Sequence, residues 1–129
     1  MRRREFVALL GSAAALSLRP LPNRAQQRTI PTIGFLHSQS PDGYDEMVSA
    51  FPQGLKEQGF TVGQNVAIEY RWANNEAARI PALATELARR PVAVIVAGGG
   101  AATAIAAKAA TTTIPIVFAN GADPVRQGL

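Results

Sequence analysis

The stretch Pro91 to Ala110 reads PVAVIVAGGGAATAIAAKAA, and its interpretation decides the fold. Val92 to Ala97 is a short unbroken apolar run, β-branched at Val92, Val94, Ile95 and Val96, with Pro91 on one side and three glycines on the other. A run of that length predicts a strand buried on both faces, as in the interior of a parallel sheet. Gly98, Gly99 and Gly100 then turn the chain into Ala101 to Ala110, whose small side chains predict a helix lying close against the sheet. Strand, glycine turn and helix N-terminus together make a common seat for a ligand.

Working outward, the same grammar recurs. Thr32 to His37 (TIGFLH) predicts a first strand, with Gly34 inside it as a mark of close approach by another group. Tyr44 to Gln58 predicts a helix, because Tyr44, Met47, Val48, Phe51 and Leu55 share one face, with Ser40 or Asp42 as its cap and Gly59 as its stop. Pro52 inside that helix predicts a kink or a late start. Asn65 to Trp72 alternates, with Val66, Ile68, Tyr70 and Trp72 on one side and Ala67, Glu69 and Arg71 on the other, so it belongs at or near a sheet edge. Ile80, Leu83, Ala84, Leu87 and Ala88 give a second apolar helix face over Arg79 to Arg90, with Pro81 in the first turn. Ile116 to Ala119 predicts a fourth strand, and Val125 to Leu129 the start of a further helix.

The resulting order, β-α-β-α-β-α-β, predicts an α/β fold: a parallel sheet flanked by helices, with right-handed crossovers and the flavodoxin-like strand order 2-1-3-4. The fourth strand is apolar throughout and would want a further neighbour, since an exposed apolar edge is a liability. Residues 26–129 are therefore expected to be part of a larger lobe.

Charge is unevenly placed. Of 13 basic residues, five precede Gln26, and the eight that follow it are balanced by eight acidic ones. The basicity thus belongs to the N-terminal segment, and a nucleic-acid partner is not expected. Arg2 to Arg4, an apolar stretch from Val7 to Leu18, and Ala25 before polar sequence have the three parts of an export signal over residues 1–25. Arg3-Arg4-Glu5-Phe6-Val7 fits the twin-arginine form, an ordinary signal peptide being the alternative. The apolar stretch is too short to span a bilayer of roughly 30 Å. With no cysteine there is no disulfide, thiolate metal site or lipid anchor, and the expected location is the periplasm. A single histidine, His37, argues against a histidine-based metal cluster or a Ser-His-Asp triad.

In open α/β sheets ligands bind beyond the carboxyl ends of the strands, where the strand order reverses. The loops expected there are Ser38 to Asp42, Gly98 to Ala102 and Asn120 to Asp123. The candidate ligand-binding residues are Ser38, Ser40, Gly98, Gly99, Gly100, Thr103, Asn120 and Asp123, a set of hydroxyls, close backbone and helix N-termini suited to an amino-acid-like ligand with a carboxylate. Five of them have a plainer role available: Ser40 as a helix cap, the three glycines as a tight turn, Asp123 as a turn former before Pro124. For His37, Tyr70 and Trp72, packing is the default role.

Several stretches carry a resemblance: RRREFV, IGFLHSQSPDGY, FPQGLKEQGF, GQNVAIEYRWA, IPALATELARRPVAVIVA, AAKAATTTIPIVFANGADPV and the final RQGL. Together they resemble the periplasmic substrate-binding proteins of ABC transporters, in particular the family whose better-known members are linked to aromatic amino acids. Pro52 stands where that family's helix usually has a basic residue, and Asn23 where a small residue precedes the cleavage site. The resemblance implies a longer, two-lobed protein that closes on a small-molecule ligand and delivers it to an ABC transporter permease, without cofactor, catalysis or a membrane span. This chain would be most of the N-terminal lobe, the second lobe being absent. The rival is an exported dinucleotide-dependent oxidoreductase fragment, since Gly98-x-Gly100 followed by Thr103 approaches G-x-G-x-x-G and Asp123 lies roughly 20 residues on. Against it, Thr103 replaces the third glycine and the motif follows the third strand.

Overall fold

A computed structural model describes residues 30–129. The export signal expected over 1–25 lies outside the described residues. Four parallel strands form one sheet in the order β2-β1-β3-β4: β1 Thr32–His37, β2 Ala67–Trp72, β3 Val92–Gly98 and β4 Ile116–Phe118. Three α-helices connect them, α1 Asp45–Glu57, α2 Ile80–Arg89 and α3 Ala101–Ala110, with a 3-10 turn at Ala77–Arg79 leading into α2. The parallel sheet is the one the crossover lengths predict, and its strand order is the flavodoxin-like one expected.

β1 is central, pairing with β2 on one side and β3 on the other, and its residues alternate between two layers. Leu36 joins Ile80, Ala84, Leu87, Ile95 and Ala107 in the main core, beneath α2 and α3. Gly34 faces the same way, and a Cβ there would lie 3.3 Å from Leu87 Cδ2. The close approach that Gly34 signals is therefore made by a core leucine. Phe35 faces the other layer, where its ring meets Phe51 of α1 and Tyr70 of β2 at 5.6 and 5.2 Å between centroids.

Several local expectations change. α1 begins at Asp45 with Tyr44 as its N-cap and no side-chain cap, so neither Ser40 nor Asp42 caps it. The turn closed by the Tyr44 N–H on the Pro41 carbonyl occupies that place, and Asp45 and Glu46 suit the positive end of the helix dipole. Pro52 sits inside one continuous helix, so the late start is not seen. The far end is a Schellman motif: Phe60 N–H bonds to the Leu55 carbonyl, Gly59 N–H to that of Lys56, and Gly59 has φ +91°.

β2 is an edge strand as its alternation predicts, but its polar side is not simply wet. Glu69 and Arg71 lie under α2, where Arg71 Nε donates to Glu86 Oε1 at 2.7 Å and Arg90 Nη1 to Glu69 Oε1 at 2.8 Å. β3 is not buried on both faces. Ile95 and Ala97 are sealed under the helices, whereas Val94 and Val96, on the α1 side, are only half-buried. Val125 to Leu129 forms hydrogen-bonded turns, with Gln127 and Leu129 both donating to the Pro124 carbonyl, in place of the expected helix.

Candidate functional site at the carboxyl ends of the strands

The crossovers leave β1 toward β2 on one side and lead from β3 to β4 on the other, so the order reverses between β1 and β3. Their carboxyl-terminal residues are register partners, His37 beside Gly98. The loops beyond them are fastened together. Ser38 Oγ donates to the Gly99 carbonyl at 2.8 Å. Gly99 has φ +85°, and a Cβ on it would fall 2.2 Å from Ser38 Oγ and 3.0 Å from the Ser38 backbone nitrogen. At Gly98 a Cβ would sit 2.8 Å from His37 Cδ2. Glycine is required at Gly98 by the His37 ring at the end of β1, and at Gly99 by the approach of Ser38 and by the left-handed backbone.

Gly100 differs. Its φ of +120° with ψ −179° is open to glycine alone, yet nothing lies within 4 Å of where its Cβ would be. Thr103 is fully buried, and its Oγ1 lies 2.9 Å from both the Gly98 and the Gly100 carbonyl oxygens. Its hydroxyl therefore braces the turn from inside. The four leading N–H groups of α3 have no partner within the helix.

The β1 loop is held from its other flank by the loop after β2. Ala73, Asn74 and Asn75 donate their N–H groups to the carbonyls of His37, Gln39 and Ser38 at 2.9, 3.1 and 2.9 Å. Asn74 and Asn75 both adopt left-handed backbone, φ 53° and 63°, which asparagine tolerates better than most residues. Ser40 is half-buried and its hydroxyl makes no hydrogen bond with another described residue. The Gln39 Oε1 is buried without a partner among the described residues. Sequence reasoning missed Gln39, Asn74 and Asn75; the Asn-Asn pair was the one signal that could have found them.

Beyond β4, Asn120 and Asp123 organise their own loop. Asn120 Oδ1 accepts from the Ala122 N–H, its Nδ2 donates to Gln127 Oε1, and Asp123 Oδ1 accepts from the Val125 N–H. Asp123 also lies 3.7 Å from Arg126. Among the described residues no hydrogen bond ties either side chain to Ser38 or to the glycine turn.

His37 is 3 % exposed at the base of this wall. Trp72 and Tyr44 lie 5.0 and 4.9 Å from it, ring centroid to ring centroid. Burial pushes its pKa below the ordinary histidine value and raises that of Tyr70. Neither the 460 Å³ groove between α2 and α3, lined by Ile80, Pro81, Ala102 and Ile105, nor the 580 Å³ depression along α2 includes the loops described above. They form an open wall. Among the described residues no cluster of three metal-ligating side chains exists, and no helix is long and apolar enough to cross a membrane.

The family model for ABC transporter substrate binding proteins matches residues 32–129, more than half of the chain. The chain belongs to that family. Solved structures repeat its fold. The ligand-free, open structure of a Clostridium difficile substrate binding protein with adhesive properties superposes with a TM-score of 0.69 at 29% identity, over 78% of this chain and 34% of the other. A conserved domain protein from Vibrio cholerae gives 0.67 at 28% identity, over 75% and 32%. The Streptococcus pneumonia ABC domain in complex with L-Trp gives 0.68 over 78% and 34%, and at 22% identity shows the fold alone. This ABC-family chain thus spans about a third of the length of each of these structures. No curated protein matches it.

Proposed function

We propose that this chain supplies one wall of the ligand cleft of an extracytoplasmic solute-binding protein, which captures a small, amino-acid-like molecule and hands it to an ABC importer permease. The observation that carries the reading is the fastening of the β1 loop to the β3 glycine turn, Ser38 Oγ to the Gly99 carbonyl, at the reversal of strand order in a chain of this family. Such a wall offers a ligand carboxylate the unpaired N–H groups at the start of α3. The Ser40 hydroxyl, unclaimed by described protein groups, adds a donor, and Gly100 leaves open space in front of the turn. Ser38, Gly98, Gly99 and Thr103 serve the ligand by shaping the wall, Asn120 and Asp123 by setting the neighbouring loop. On this reading the chain itself performs no catalysis, and the periplasm is where it acts.

The dinucleotide reading gains nothing from the geometry. The glycine turn follows β3, and Thr103, in the place of the third glycine, turns its hydroxyl onto the loop carbonyls.

Melting of the two-lobed protein in which this chain forms one wall, in the presence of free amino acids and with NAD and NADP alongside, tests the proposal. A ligand at a hundredfold excess over its Kd adds about 3 kcal/mol to stability, so an amino acid is expected to raise the melting temperature in proportion to the logarithm of its concentration. A rise with a dinucleotide and with no amino acid overturns the reading.

A further inference from the structure

We propose that His37 is the positioning residue that holds the loop after β1 against the glycine turn after β3, and that a second proton on its ring releases this hold. The functional consequence, a cleft wall that loosens in acid, rests on the cleft reading above; the structural switch does not.

The His37 ring makes contacts that only its neutral form can keep together. Nδ1 accepts the Gln39 N–H at 3.2 Å, which fixes the backbone two residues into the loop. On another edge, Cδ2 and Cε1 lie 2.8 and 3.0 Å from where a Cβ would stand on Gly98 and Gly99, so the ring rests flush on the glycine turn. Between these contacts lies Ser38, whose Oγ and carbonyl bind Gly99 and Asn75. The imidazole is thus wedged behind the residue that joins all three loops.

A lone pair on Nδ1 is needed to accept the Gln39 N–H, so the neutral ring carries its proton on Nε2. The imidazolium carries a proton on both nitrogens. It would set an Nδ1–H donor against the Gln39 N–H donor, which removes the bond and leaves two donors facing each other. The groups around the ring are Phe35 of β1, stacked at 6.1 Å, Trp72 of β2, Tyr44 ahead of α1, and the Gly98–Gly99 backbone at the end of β3. Tyr44 alone among them is titratable, and no carboxylate is present in that set to compensate a charged ring. A protonated His37 therefore has to leave its seat or loosen the loop.

Trp72 is the only tryptophan of the chain, so its emission reports the charge of the neighbouring ring, imidazolium being a quencher of indole fluorescence. The experiment follows two signals in the full chain as the pH is lowered through and below 6.5, the ordinary histidine value: Trp72 emission, and the exchange rates of the Gln39 and Asn75 amide protons corrected for intrinsic pH dependence. The expected result is a fall in Trp72 emission and, over the same interval, an increase of about tenfold in Gln39 amide exchange, the size of one lost hydrogen bond. His37→Gln, whose amide oxygen can still accept but does not titrate, is expected to flatten both steps. Unchanged Gln39 protection while Trp72 emission falls, no step in either signal, or the same steps in His37→Gln each overturn the proposal. If His37→Gln does not fold, the two native profiles decide. No ligand is used, so an amino acid that stabilises a chain whose loop ignores pH would sink this inference and leave the cleft reading standing.

Discussion

Ser38 Oγ and the Gly99 carbonyl meet at 2.8 Å across 61 residues of chain, and the backbone of Gly99 is bent into left-handed geometry at the point of contact. The first residue beyond one strand and the first beyond its neighbour thereby become a single surface. Its shape depends on the absence of a side chain at Gly99.

Gly99→Ala combines a left-handed φ with a 2.2 Å collision at Ser38 Oγ, whereas Gly100→Ala meets only the backbone cost. We expect about 2–4 kcal/mol lost for Gly99→Ala and about 1–2 kcal/mol for Gly100→Ala. Urea unfolding of the two variants measures the order. Equal losses would mean that close approach is not what demands glycine at Gly99.

Thr103→Val keeps the buried shape and removes the hydroxyl shared by the Gly98 and Gly100 carbonyls. About 1–2 kcal/mol should be lost. Thr103→Ser retains the hydroxyl and gives up a methyl, worth about 0.8 kcal/mol. A valine variant as stable as the parent in thermal melts would show that the hydroxyl does not brace the turn.

Leu87→Ala empties a fully buried site and should cost about 2–5 kcal/mol. Because a Cβ at Gly34 would point into the Leu87 side chain at 3.3 Å, Gly34→Ala crowds the native core but occupies part of the space left by Leu87→Ala. The double variant should therefore be more stable than the sum of the single losses predicts, by about 0.5–1 kcal/mol. Strict additivity would place the two sites out of contact.

The depressed pKa of His37 has a definite sign in stability. The unfolded chain binds a proton near pH 6.5 and the folded chain only at lower pH, so between those values the unfolded state holds more protons. The His37 contribution is complete above pH 6.5, shrinks as the pH falls below it, and stops changing once the folded ring is protonated too. Midpoint denaturant concentrations for the parent and His37→Gln should converge as acid is added through that range. Parallel curves would assign the acid sensitivity elsewhere.

Val117 is 57 % exposed on β4, and its neighbour Phe118 is exposed as well. The chain should self-associate through this edge. Val117→Lys is expected to shift sedimentation profiles toward monomer with little effect on melting temperature, and profiles that do not change would exonerate the edge.

Most of the architecture was legible because hydrophobic period and crossover length are local properties. The apolar run at Val92 to Ala97, the alternation of Asn65 to Trp72 and the helix face through Leu87 each report one element, and the strand order is the one that flavodoxin-like sheets give such a succession. Burial was less legible. Val94 and Val96 are as apolar as Ile95, but only α1 lies on their side of the sheet, and composition does not count the helices above a strand. The loop positions were found while their individual tasks were not. Thr103 and Ser38 look alike as hydroxyls, and what separates them is which carbonyl each one reaches. The pairing of Arg71 with Glu86 and of Arg90 with Glu69 was equally hidden, being set by the way α2 lies across β2.

The central place of β1 also sets a timetable. Its first neighbour, β2, begins 35 residues after it and its second, β3, 60 residues after it, so neither partner exists when β1 is made. Bringing Ser38 and Gly99 together across their 61-residue separation costs about 4 kcal/mol of chain entropy, returned only once β3 is in place. Newly made chain should therefore stay open at β1 until β3 has been synthesised and can pair with it.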